Sequence, residues 1–281
     1  MAFSSGSECT QLMRKLFLFC FIALLQVGHT THLRPWLGQD LLPQLTGKYT
    51  LQQYHWVRVS NHATPLPSTD HFVNAGAYVP YAPYSLEVEV NTAGTTANHF
   101  SWNDVVVTGR YQLMDDISGE DFVSVVAGVS IAKTRPKFVR DISTFHHGTW
   151  EYLFHGSIGK EEPIGSTWAS RSWGLVGLGI ANEGSFWVVS HLEYERNACD
   201  RYWYGVFLEG LFGMGSHDID ITNFLGYGPI KHRSVDLGGQ FTYSLLENGT
   251  LTLKYSFRVW AENFPAYTNL ATIEFQYPFG L

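Results

Sequence analysis

Two runs of alternating residues flank Asn248-Gly249, and together they leave little freedom in how the chain can fold. In the first run Val235, Leu237, Gly239, Phe241, Tyr243 and Leu245 share one phase. Ser234, Asp236, Gly238, Gln240, Thr242 and Ser244 share the other. In the second, Leu251, Leu253, Tyr255, Phe257 and Val259 alternate with Thr252, Lys254, Ser256 and Arg258. A period of two places the sets on opposite faces of a strand. Asn-Gly tolerates the positive φ of a tight turn, so 234–261 reads as a β-hairpin with one apolar and one polar face. Asn248-Gly249-Thr250 also fits a glycosylation sequon, but the turn is the reading adopted.

The same grammar recurs. Leu86, Val88 and Val90 alternate with Glu87 and Glu89, and Val105–Leu113, Val123–Ile131 and Trp150–His155 follow suit. Strands are expected near 48–60, 71–80, 171–181, 185–196 and 201–213. The last is Ile273, Phe275, Tyr277, Phe279 and Leu281, alternating with Glu274, Gln276, Pro278 and Gly280. The expected fold is all-β, an antiparallel up-and-down barrel of about 12 strands.

Composition says which solvent the apolar face meets. Charged residues are 15% of the chain and aromatics another 15%, where a soluble domain carries about 25% charged residues. Yet mean hydropathy is only −0.07, as expected when apolar and polar residues alternate between lipid and water. The strand charges fall on the polar phase: Glu87, Glu89, Arg110, Glu151, Glu193, Glu209, Asp236, Lys254, Arg258 and Glu274, with His155 and His191. A Lys or Arg on the lipid face costs about 2–4 kcal/mol at midplane, so this confinement predicts a transmembrane barrel with these residues facing its lumen. Acidic residues outnumber basic ones there, which favours cations or neutral solutes. The equally weighted alternative is a paired, structural plug in a narrow barrel. A net charge of −7 without a basic patch argues against nucleic acid as a partner. A soluble β-sandwich remains an alternative, since strands alternate there too.

Residues 1–30 read as an export signal. Met13-Arg14-Lys15 forms a basic stretch, and the apolar run Leu16–Leu25 is ten residues long, short of the roughly 20 that span a bilayer. Met13 is a possible true start. Cys9 and Cys20 would leave with the signal, so Cys199 is expected to stand alone. Residues 31–46 read as a periplasmic lead-in with at most one helical turn, and 47–281 as the barrel. With Leu281 in the periplasm, the long connections 134–148 and 214–232 face outward and shape the mouth. The connection at 160–169 conflicts with this scheme, being inward yet long.

The terminal aromatic strand resembles the closing strand of bacterial outer-membrane β-barrels, although it ends in Leu281 rather than Phe or Trp. In that family the strand is read by the barrel-assembly machinery. The resemblance thus implies the cell outer membrane, with its lipid, lipopolysaccharide and assembly machinery as partners. Asn103–Leu113, Ala127–Ser130 and Gly148–Leu153 resemble the transporter-like outer-membrane family named after the meta-pathway of phenol degradation. That likeness covers about a fifth of the chain and implies uptake of small, often hydrophobic molecules. A second stretch, His155-Gly156-Ser157 followed by Ser170-Arg171-Ser172-Trp173, is similar to outer-membrane phospholipase A. It implies His155 as base and Ser157 as nucleophile, on the outer face of a 12-stranded barrel. Ile158 and Gly174 stand where that family has Asn, and the spacer between the two blocks is longer.

No zinc site, phosphate loop or dinucleotide fingerprint is present, so neither cofactor nor resident metal is expected. His146-His147 and the cluster His217, Asp218, Asp220 could ligate a metal, but adjacent residues of an extended loop point apart. The expectation is a non-enzymatic channel or transporter for small hydrophobic or cationic solutes. The alternatives are a hydrolase using Ser157 and His155, and a non-conducting structural or adhesive barrel.

Overall fold

The computed structural model describes residues 33–119, 121–164, 167–199, 201–245 and 249–279. The stretch read as an export signal and Leu281 lie outside them. Twelve strands form a closed antiparallel barrel: β1 (Gln44–Val59), β2 (His62–Tyr81), β3 (Tyr84–Gly94), β4 (Ser101–Met114), β5 (Ser124–Thr134), β6 (Trp150–Ile164), β7 (Thr167–Ala181), β8 (Trp187–Asn197), β9 (Tyr202–Gly213), β10 (Arg233–Ser244), β11 (Thr250–Glu262) and β13 (Asn269–Pro278). A three-residue strand, β12 (Phe264–Ala266), continues the pairing along the far end of β1. A single turn of helix, α1, spans Pro136–Val139.

Each strand pairs with its sequence neighbour, and β1 pairs with both β2 and β13. The closing register sets Tyr49 opposite Ile273 and Lys48 opposite Glu274. Closure removes the edges that an open sheet would present. In hydrocarbon each unpaired backbone group would cost several kcal/mol.

The polarity of the wall is the reverse of a soluble domain's. Along β3, Leu86, Val88 and Val90 are 52%, 39% and 43% exposed, while Glu87 and Glu89 are 2% and 4% exposed. On β13, Ile273, Phe275 and Tyr277 are exposed and Glu274 is buried. An apolar outer belt around a polar interior is the pattern of a barrel in lipid.

The difficulty at 160–169 disappears in three dimensions. Strands β6 and β7 run on to a two-residue connection, 165–166, and Glu161 pairs with Arg171. Their polar ends continue the ladder past the apolar belt, so the stretch that reads as a loop is strand. One end of the barrel carries the long connections 135–149 and 214–232, and the other carries mainly short turns. Residues 33–43 contain no helix and run into the short-turn end instead of lying beneath it. Cys199, expected to stand alone, is disulfide-bonded, and its partner lies outside the described residues.

Placing a cation on the belt tests its solvent. Val88→Arg is expected to lower stability by about 2–4 kcal/mol in lipid vesicles, read by urea unfolding with tryptophan fluorescence. A change within about 0.5 kcal/mol would mean that β3 does not face lipid.

Candidate functional site

The interior has three layers. The long-loop end is closed by an apolar cluster of Tyr54, Val57, Ile142, Ile219, Tyr227, Ile230, Ala261, Phe264 and Ala266. Connections 135–149 and 214–232 thus fold into the mouth. Their backbones are tied down: Tyr227 Oη donates to the Ile142 carbonyl at 2.9 Å and Gln52 Nε2 to that of Ser143 at 3.0 Å. Gly228 lies against the carbonyls of His147 and Glu183, so a Cβ there would sit 2.6 and 2.7 Å from them.

Beneath this plug is a cavity of about 310 Å³. It is lined by Glu89, Asp104 and Glu151, by the cations Lys48 and Arg258, and by apolar residues that include Leu153, Leu175 and Val189. Its floor includes Leu33, which packs with Trp173 and Leu175. On the far side of Leu33, towards the short-turn end, a polar chamber of about 190 Å³ is lined by Arg34, Trp173, Glu193, Trp203, Lys254 and Glu274 among others.

The interior charges come mostly in partnered sets. Asp236 accepts two bonds of 2.7 Å from Arg258, a bidentate pair. Lys254 lies 3.2 Å from Glu274. His191 bridges Glu193 at 2.9 Å and Glu209 at 3.2 Å. Glu89 accepts from Asn74 at 2.9 Å, and Glu151 from the backbone of His147 and Gly148. Arg110 donates to Ser85 and to the Arg34 carbonyl and covers the Tyr78 ring. Glu87, among the described residues, accepts no hydrogen bond.

Several interior residues escape the sequence reading. Glu195, Asp104 and Lys48 line the interior with them, and Glu195 is 0% exposed. The alternation could have found two of these: Glu195 is in phase with His191 and Glu193, and Asp104 with Arg110. Arg34 had no such signal, because 33–43 carries no period. Its guanidinium reaches Glu193 at 3.3 Å and Glu195 at 3.1 Å, across more than half of the sequence.

The hydrolase alternative is corrected by orientation. His155 and Ser157 are 5% and 3% exposed and point inward, the imidazole lying over Gly128 beside Arg110. Neither side chain hydrogen-bonds to the other or to any described residue. A nucleophile facing the lumen cannot meet lipid at the outer wall, and the base has no orienting partner. The metal alternatives also dissolve into structural contacts. His146 binds Asn103, Asp218 accepts from Asn263, and Asp220 caps Thr222 and Asn223. Among the described residues no three metal-ligating side chains converge.

The plug holds three buried histidines in different states. His147 stacks on Trp187, ring centroids 3.7 Å apart, and its Nε2 lies 3.1 Å from His232 Nε2. Burial, with His147 alongside, pushes His232 down to about 3, and burial lowers His147 as well. Burial also opposes the charge on His146, but the hydrogen bond and charge of Glu151, with Asp104 and Asp141, carry it above its ordinary value. A neutral His232 therefore adds stability above its ordinary pKa of about 6.5, which is lost as pH falls from there towards 3. His146 acts oppositely and loses its contribution as pH rises. Acidification to about pH 4 is expected to loosen the plug, read as faster protease cleavage in 214–232. In His232→Phe that acid sensitivity should shrink; an unchanged profile would exonerate the pair.

No family model matches the chain, and no curated protein matches its sequence. Solved structures that it resembles include outer-membrane proteins. An outer-membrane channel of the COG4313 group from Pseudomonas putida F1 is similar with a TM-score of 0.65 at 9% identity, over 90% of this chain and 100% of that one. The NanC porin is similar at 0.51 and 9% identity, over 85% and 100%. The translocator domain of the autotransporter NalP from Neisseria meningitidis gives 0.50 and 7%, over 99% and 97%. At such identities the likeness is one of fold, and it agrees with the closed, apolar-belted wall: the chain has the architecture of the bacterial outer-membrane β-barrels.

Proposed function

We propose that this barrel is an outer-membrane channel for small solutes, with a preference for cationic molecules that carry an apolar part. The observation that carries the reading is the stacking of an amphipathic cavity of about 310 Å³ and a polar chamber of about 190 Å³ along one interior. A purely structural barrel gains nothing from that volume, because a filled core is more stable than a cavity. The cavity pairs carboxylates with an apolar wall, and it falls at the small end of ligand-sized volumes. The plug and residues 33–37 narrow the path at either end, so passage needs at least one of them to move. That two solved relatives by fold are a channel and a porin supports the same reading. By this proposal the long-loop end faces outward, the charged interior residues set selectivity, and β13 serves as the assembly signal through Ile273, Phe275 and Tyr277, with Phe279 and Leu281.

Planar-bilayer recording tests it. The purified barrel is expected to pass a small current with cations favoured over anions. Phe264→Ala, which removes a large side chain from the plug, should raise the conductance several-fold. If heat-modifiable migration shows a folded barrel and neither protein conducts, the channel reading fails and a closed structural barrel stands.

A further inference from the structure

The barrel interior holds a cation site that the chain fills with its own side chain. Glu193 of β8 lines the polar chamber, Glu195 is buried two residues further along the same inward face, and Gln240 of β10 donates Nε2 to both, at 2.7 and 2.8 Å. The same two oxygens receive Arg34 Nη2 at 3.3 and 3.1 Å. We propose that Glu193, Glu195 and Gln240 form a binding site for a guanidinium or primary-ammonium group of a small solute. Arg34 is its resident occupant, so its side chain forms an inner gate that such a solute displaces.

Four observations carry this. The first is charge. Lys254 pairs with Glu274, Arg171 with Glu161, and His191 is shared between Glu193 and Glu209. Withdrawing Arg34 takes from Glu195, fully buried, the one cation in direct contact with it among the described residues. An unpaired buried charge is strongly unfavourable, so the site calls for a replacement. The second is unused capacity. Glu195 Oε2 and Gln240 Oε1 are buried and accept nothing from the described residues, so the site offers more acceptors than Arg34 uses. The third is the grip. Arg34 engages through one nitrogen at more than 3 Å, whereas Arg258 holds Asp236 through two at 2.7 Å. Tethering by the backbone, whose Arg34 carbonyl is held by Arg110, keeps the fork off Glu195 Oε2. An untethered guanidinium is free to reach it and form the stronger bidentate pair.

The fourth is space and surroundings. The chamber beside the site is bordered by Trp173 and Trp203, whose rings suit an incoming cation. Residues 33–37 are the partition between this chamber and the larger cavity, since Leu33 lines one and Arg34 the other. Beyond Arg34 the segment is held by a bond from Trp36 Nε1 to Asp116 at 2.9 Å and by Tyr78 Oη on the Leu37 carbonyl. Leu33 also packs on Trp173 and Leu175, so a displaced Arg34 side chain leaves a segment that is still anchored at both ends.

The gate rests on the channel reading, whereas binding at the carboxylates is measurable without it. The test is titration of the folded, detergent-solubilised barrel with methylguanidinium chloride, followed by the fluorescence of the tryptophans beside the site. Tetramethylammonium, a cation with no N–H donor, is the control. Arg34→Ala should bind methylguanidinium about tenfold more tightly than the wild type, about 1.4 kcal/mol, because the internal competitor is gone. Arg34→Lys should fall between them, and adding Glu195→Gln to Arg34→Ala should abolish binding. In bilayers Arg34→Ala should conduct more than the wild type, and methylguanidinium should block its sodium current. Equal binding by wild type, Arg34→Ala and Arg34→Lys, or equal binding of tetramethylammonium, overturns the site. Tight binding with identical currents in wild type and Arg34→Ala overturns the gate. Tight binding with no current in any variant removes the channel reading and leaves the site standing.

Discussion

Everything in this molecule depends on the pairing of β1 with β13. A sheet in hydrocarbon cannot leave an edge, because its unpaired N–H and C=O groups have no water to turn to. The ladder from Gln44↔Pro278 to Gln53↔Asn269 removes both edges at once, and β12 carries the closure on to Arg58. Once the wall is closed, each strand has an inside and an outside, and the side-chain period of two assigns every residue to one of them.

Closure around 12 strands also fixes how wide the interior is, and that width explains its chemistry. It is too broad for strand side chains alone to fill and too narrow to stay an open aqueous pore once segments enter it. The chain meets the surplus with Phe264, Tyr227 and the loops at one end and Leu33–Leu37 at the other. Polar residues in between stay tolerable because nearly all find partners: Asp236 with Arg258, Lys254 with Glu274, and Glu193 with Arg34, His191 and Gln240. These pairs join charges carried by β8, β10, β11 and β13. Of the two cavities described above, one lies between the plug and residues 33–37 and the other on the short-turn side of that segment.

The strands were legible because alternation is local. The hairpin around Gly249 sits where the period places it, and the barrel has the 12 strands that the spacing implies. Failures cluster where partners come from far along the chain. Residues 160–169 read as a connection, and only the pairing of Lys160–Ile164 with Thr167–Ser172 across the hairpin makes most of them strand. His155 and Ser157 looked like a catalytic pair by spacing, but spacing says only that they share a face, not that the face meets lipid. Arg34 was invisible, since an aperiodic segment gives no hint that its cation lies among carboxylates of β8.

Local alternation in the sequence was enough for the barrel class, most strand positions and the face on which each strand residue lies. A period of two and the cost of charge in lipid act residue by residue and need no knowledge of the fold. Only the tertiary structure decided that the lumen is closed at both ends, which charges neutralise which, and that residues 33–37 stand between the two cavities. Those are contacts between segments far apart in the chain, Arg34 and Glu195 being separated by 161 residues, and no local pattern encodes a distance across a barrel.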